Sequence, residues 1–151
     1  MTTQTGRTAD DTTAIATLIS RYFRALDERD FDAAGEWARP FHTDDVEALF
    51  PVGRTRGHLA VTRQTEEALR RFARTHHLST DVLTDTDPAT GRATAAWNAL
   101  MTHIHHDPAR GVFTVGGRCR AELVHTEPQG WRFRRMSIEA VWTTGEPPVL
   151  P

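Results

Sequence analysis

The feature that most constrains this chain is a change of hydrophobic period near His77. Upstream of it apolar residues recur at steps of three and four; downstream they alternate, the spacing of a strand with one face buried. The alternating runs cover 78–86, 92–106, 112–126 and 131–143, and turn-forming sets separate them: Asp87-Pro88, Asp107-Pro108-Ala109-Arg110-Gly111 and Glu127-Pro128-Gln129-Gly130. Runs joined this way form an antiparallel meander, which needs one face covered, and only the upstream helices can cover it. The fold class is therefore α+β. Strands this long also curl, so the expected architecture is a cone-shaped curved sheet wrapped around three N-terminal helices, with an internal pocket.

The first helix carries Ile15, Leu18, Ile19, Tyr22 and Leu26 on one face, with Thr8 and Asp11 placed to cap it, and should end near Glu28. Asp30 is expected to cap a second, short helix bearing Phe31, Ala34 and Trp37, which Pro40 closes. Residues 46–50 and 53–57 read as two short strands around Pro51, and a third helix follows with Val61, Thr65, Ala68, Leu69 and Phe72 on one face. A chain of 151 residues fits one core: a single domain over 9–144, with residues 1–8 and 145–151 expected to be flexible.

A net charge of -2 gives no electrostatic case for nucleic acid or for an anionic membrane as partner. The single cysteine, Cys119, cannot form an internal disulfide, and no apolar stretch precedes the first helix, so the expected location is cytoplasmic.

Histidines are concentrated where strands begin and end. His76 and His77 open the first long run and His103, His105 and His106 close the second, so in an antiparallel pair the two groups become neighbours. Alternation sends Ala95, Trp97, Ala99, Met101, His103 and His105 to one face, the better candidate for lining a hollow. His77, His103 and His105 could in principle supply three imidazoles to zinc, but no recognised ligand spacing is present and the expectation is no metal and no cofactor. His105 and His106 fit a solvated turn, and Cys119, without an identifiable base, fits packing. Asp27 closes the first helix, where an acid either solvates the helix end or serves a site. Phosphate loops, dinucleotide fingerprints and a Gly-x-Ser-x-Gly elbow are absent.

The run from Ile19 through Leu26-Asp27-Glu28-Arg29-Asp30-Phe31-Asp32, then Gly57 opening a helix, Thr75-His76-His77 opening a strand, Gly116-Gly117-Arg118 and Gly130-Trp131-Arg132-Phe133, resembles the SnoaL-like branch of the nuclear-transport-factor-two-like superfamily. Within it the pattern is most similar to scytalone dehydratase-type enzymes. That resemblance implies Asp27, His77 and His103 as catalytic residues, although Leu26 stands where those enzymes carry a tyrosine before the aspartate and Tyr22 is the only tyrosine. Tyr22, Leu26, Trp37, Phe50, Trp97 and Met101 are the expected substrate-binding wall, suited to a small apolar or aromatic molecule. The expected function is a cofactor-independent lyase, cyclase or isomerase using His/Asp acid–base chemistry on a polycyclic or polyketide-like substrate. The alternatives are a non-catalytic small-molecule binder and a dimerisation module of the same fold. A homodimer through the sheet is compatible with all three.

Overall fold

The computed structural model describes residues 4–51 and 53–149. Its elements run α1 (Gln4–Glu28), β1 (His42–Phe50), β2 (Gly53–Arg56), α2 (His58–Arg70), β3 (Phe72–Asp87), β4 (Arg92–His105), β5 (Val112–Thr126) and β6 (Gly130–Thr144). One six-stranded sheet has the order β2-β1-β6-β5-β4-β3. The β1–β6 pair is parallel and its neighbours are antiparallel. The result is a mixed α+β fold, an unclosed curved sheet around two helices.

Several expectations change. The second helix is a single 3-10 turn, Glu36–Ala38, and its orphan amides are held by Asp32, which accepts from the backbone of Ala34, Glu36 and Trp37, whereas Asp30 takes no part. Gly35, in the left-handed region (φ 72°), and Pro40 bracket this turn, so the thirteen residues between α1 and β1 hold no longer helix. Helix α1 begins at Gln4, so Asp11 is interior to it and accepts from Trp131 Nε1 at 3.0 Å instead of capping. Thr8 likewise falls within the helix. Phe72 opens β3 and does not belong to α2. Residues 145–149 lack regular structure, yet Arg110 binds both the Glu146 carboxylate (2.8 Å) and the Pro147 carbonyl (2.8 Å). Of the segments expected to be flexible, residues 1–3 and 150–151 lie outside the described residues.

The sheet carries several register shifts that alternation alone does not reveal, and two of them change which residues face inward. In β3 the inward residues are Thr75, His77 and Ser79, then Val82 and Thr84. The parity changes at Asp81, whose φ of 56° sits in a register shift against β4. In β6 the inward set changes from Trp131 and Phe133 to Met136, at the shift opposite Glu122/Leu123. An extra residue of this kind bends its strand and resets which side chains face the concave side. Against that face α1 buries Ile15, Ile19, Tyr22, Phe23 and Leu26.

His42 is completely buried, with both ring nitrogens lacking a partner among the described residues. Burial, assisted by the neighbouring His58, pulls its pKa down to about 3. The unfolded chain binds this proton below the ordinary histidine value and the folded chain does not, so the contribution is complete above about 6.5 and lost as pH falls toward 3. Stability should drop by about 1.4 kcal/mol per pH unit in that window from this group alone. Urea unfolding at several pH values checks it: His42→Leu should flatten the slope, and an unchanged slope assigns the proton elsewhere.

Candidate active site

The cone encloses a cavity of ≈ 630 Å³, large enough for a two- or three-ring molecule. Phe23 and Asp27 lie four residues apart, hence on one face of the last turns of α1, facing β3. Arg29 ends this helix in the left-handed region (φ 56°), and its Nη1 donates to the Phe72 carbonyl at 2.8 Å. That bond ties the end of α1 to the start of β3 and brings Asp27 against residues 75–77.

Thr75 and His77 alternate to the same side of β3, so both reach the same carboxylate. Thr75 Oγ1 donates to Asp27 Oδ1 (2.9 Å), the His77 backbone N–H donates to Oδ2 (2.8 Å), and His77 Nδ1 lies 2.6 Å from Oδ1. Burial pushes the Asp27 carboxyl up, but the bonds from the His77 ring and backbone, the attraction of that ring in its protonated form and the Thr75 hydroxyl together outweigh it, and the net shift is downward. Asp27 is thus ionised at neutral pH and accepts. His77 Nδ1 must carry the proton, and the neutral ring's lone pair is on Nε2. The phenyl ring of Phe23, 5.4 Å from the imidazole centroid, holds the ring from the other side.

His103 stands across from Thr75 in the β3–β4 ladder, and its ring centroid is 5.9 Å from that of His77. Its Nδ1 is 3.1 Å from the Phe113 carbonyl oxygen; an oxygen that can only accept fixes the proton on Nδ1 and leaves Nε2 as acceptor. Burial pulls its pKa to about 4, the Phe113 carbonyl opposing and the His77 charge assisting. His103 is therefore neutral near pH 7.

The expected wall is largely assembled: Tyr22, Leu26, Phe50, Trp97 and Met101 all line the cavity together with His77 and His103. Trp37 does not. It packs on Phe31 (4.6 Å between centroids) and donates its Nε1 to Glu66 at 2.9 Å, because the short turn carrying it faces α2 and not the sheet. Phe72 also lines it, from β3 and not from a helix face, as do Phe113, Val115, Met136 and Ile138, which alternation and helical spacing did not single out. Val115 was findable as the inward residue of β5 opposite Met101, and Met136 was hidden by the β6 parity change.

Tyr22 Oη and Trp97 Nε1 have no hydrogen-bond partner among the described residues. Burial pushes the Tyr22 phenol strongly up against a small opposing influence of the Thr65 hydroxyl, so it remains a protonated donor. Burial likewise pushes the Cys119 thiol up to about 12, which leaves it protonated and non-nucleophilic. His105 is buried and not in a solvated turn: its Nε2 donates to the Glu146 carbonyl at 2.7 Å, which turns it away from any grouping with His77 and His103. His106 is exposed and pairs with the Arg70 carbonyl. Among the described residues no group of three or more His, Cys, Asp or Glu side chains is placed to hold a metal ion.

The model of the SnoaL-like domain matches residues 7–137, most of the chain. The chain belongs to the SnoaL-like family. Solved structures share the fold of this SnoaL-like chain. The Kfla4162 protein of Kribbella flavida has a TM-score of 0.80 at 21% identity, covering 91% of this chain and 95% of that one. A protein of Novosphingobium aromaticivorans named for scytalone dehydratase has a TM-score of 0.80 at 20% identity, covering 95% and 92%. The hexachlorocyclohexane dehydrochlorinase LinA-type3 of Novosphingobium barchaimii has a TM-score of 0.78 at 16% identity, covering 99% of each. No match is found among curated proteins. No described helix is long and apolar enough to cross a membrane.

Proposed function

We propose that this SnoaL-like chain is a cofactor-independent lyase, cyclase or isomerase that moves a proton at carbon in a small, largely apolar, polycyclic or polyketide-like substrate. The observation that carries this reading is the 2.6 Å contact between Asp27 and an imidazole on the wall of an apolar cavity. The neutral His77 Nε2 accepts the proton of an activated C–H bond. The electron pair left on carbon enters a new double bond, and the Asp27 carboxylate stabilises the imidazolium that forms. The same Nε2–H then returns the proton, to a different carbon in isomerisation or to a departing oxygen in dehydration; in cyclisation the pair instead closes a C–C bond onto a carbonyl carbon, and the proton goes to the alkoxide oxygen so formed.

His103 takes a different part. Held neutral, with its only N–H engaged by the Phe113 carbonyl, it is no acid near pH 7 and acts as an acceptor for a ligand hydroxyl. The names of two similar structures, a scytalone dehydratase and a dehydrochlorinase, support elimination chemistry as one form of this reaction.

Proton abstraction can be read without knowing the natural substrate. In deuterated water the protein should exchange the acidic C–H of 2-tetralone, a two-ring ketone that fits the cavity, at least about tenfold faster than buffer, and His77→Gln should return the rate to that of buffer. A wild-type protein that binds such ketones but exchanges none of them would be a binder, not an enzyme of this class.

A further inference from the structure

Among the described residues whose side chains line the cavity, only Arg71 carries a permanent charge, and none is a carboxylate. Asp27 is behind the His77 ring, and Glu66 is engaged by Trp37 and Arg70. Arg71 is half-buried and forms no ion pair or side-chain hydrogen bond with any described residue, whereas its neighbour Arg70 pairs with Glu66 at 3.1 Å. Among the described residues its guanidinium has no partner, and it stands beside Phe72 and Leu69 on a largely apolar wall.

We propose that Arg71 anchors an anionic group of the ligand, so that the molecule held here is a small apolar acid. Its flat body lies in the cone, and a carboxylate meets the guanidinium where α2 turns into β3. This specifies the substrate class of the proposed reaction and rests on the cavity being the ligand site. The planar fork of arginine fits two carboxylate oxygens, and walls without competing acids leave the ligand as its partner. The competing account is that Arg71, the residue that ends α2, serves only the negative end of the helix dipole.

Two probes with one ring system separate these accounts: 2-naphthoate, and 2-naphthamide as its neutral counterpart, titrated calorimetrically into the full chain near neutral pH. Wild type should prefer the carboxylate by about tenfold or more, the preference shrinking with added salt. Arg71→Gln should lose that preference while keeping its affinity for the amide, and Arg71→Lys should restore part of it. Asp27→Asn should keep the preference in full, so loss of the acid–base chemistry cannot be mistaken for loss of the anchor. The proposal is overturned if Arg71→Gln lowers only the melting temperature, if wild type binds both probes equally, or if the preference disappears in His103→Gln and survives in Arg71→Gln. Failure of both probes to bind would overturn the anchor and the ligand site together.

Discussion

Asp27→Asn should lower turnover by roughly two to four orders of magnitude, the scale of a lost general acid–base contribution. Three donors converge on this side chain: the Thr75 hydroxyl, the His77 backbone amide and the His77 ring. A carboxylate serves all of them with two acceptor oxygens. An amide has one oxygen, and its NH₂ facing Nδ1 would draw the imidazole proton to Nε2, the atom that must be free to accept from carbon. The variant also loses the anion that stabilises the imidazolium. Its stability should fall by about 1–3 kcal/mol, the cost of an unsatisfied buried donor, so rates must be measured well below the melting temperature. A helix-end aspartate of purely local importance predicts another result, since asparagine caps as well and activity would persist. Full activity in Asp27→Asn and in both His77→Gln and His103→Gln would end the enzymatic reading and leave a small-molecule binder.

Phe133→Ala should have the largest effect on stability, about 3–5 kcal/mol. For a chain of this size that corresponds to a melting temperature lower by roughly 6–20 °C. Phe133 is fully buried where α1 meets the sheet; its ring lies 5.5 Å from that of Tyr22 and 6.3 Å from that of Trp97. Removing it leaves a void beneath two of the residues that shape the cavity, so ligand affinity should fall together with stability. Leu83→Ala is the control: Leu83 is 73% exposed on the outer face, and its loss should cost no more than about 0.5 kcal/mol. Thermal unfolding of the two variants side by side decides the point. A shift of less than about 2 °C for Phe133→Ala would mean that this floor is not packed as described.

Much of the fold was legible because burial imposes a period on the chain. Positions 92–105 alternate so regularly that Trp97, Met101 and His103 could be assigned to the concave face, where they are found. Alternation fails where an extra residue enters a strand. At Asp81 and beyond Phe133 the inward parity changes, and no local composition marks those points. Trp37 differs for another reason: its helical spacing is real, but the left-handed Gly35 (φ 72°) and Pro40 confine it to one 3-10 turn.

For the site the division is different. The sequence by itself determined the residue types and their local faces: an acid at the end of α1, a histidine at the start of β3 and another late in β4. It also determined that His77 and His103 would come close, because antiparallel pairing of adjacent strands is a local constraint. Only the tertiary structure decided that Asp27 would bond His77, a contact across fifty positions that depends on how α1 crosses the curled sheet. It alone fixed the His77 tautomer, since this follows from the Asp27 carboxylate, which is far from His77 in sequence, whereas the Phe113 carbonyl that sets the His103 tautomer lies in the adjoining strand. It alone left Arg71 without a partner among the described residues on the cavity wall while Arg70 found Glu66. Periodicity records which face of an element is buried, whereas the chemistry depends on which faces meet, and that is set by long-range packing.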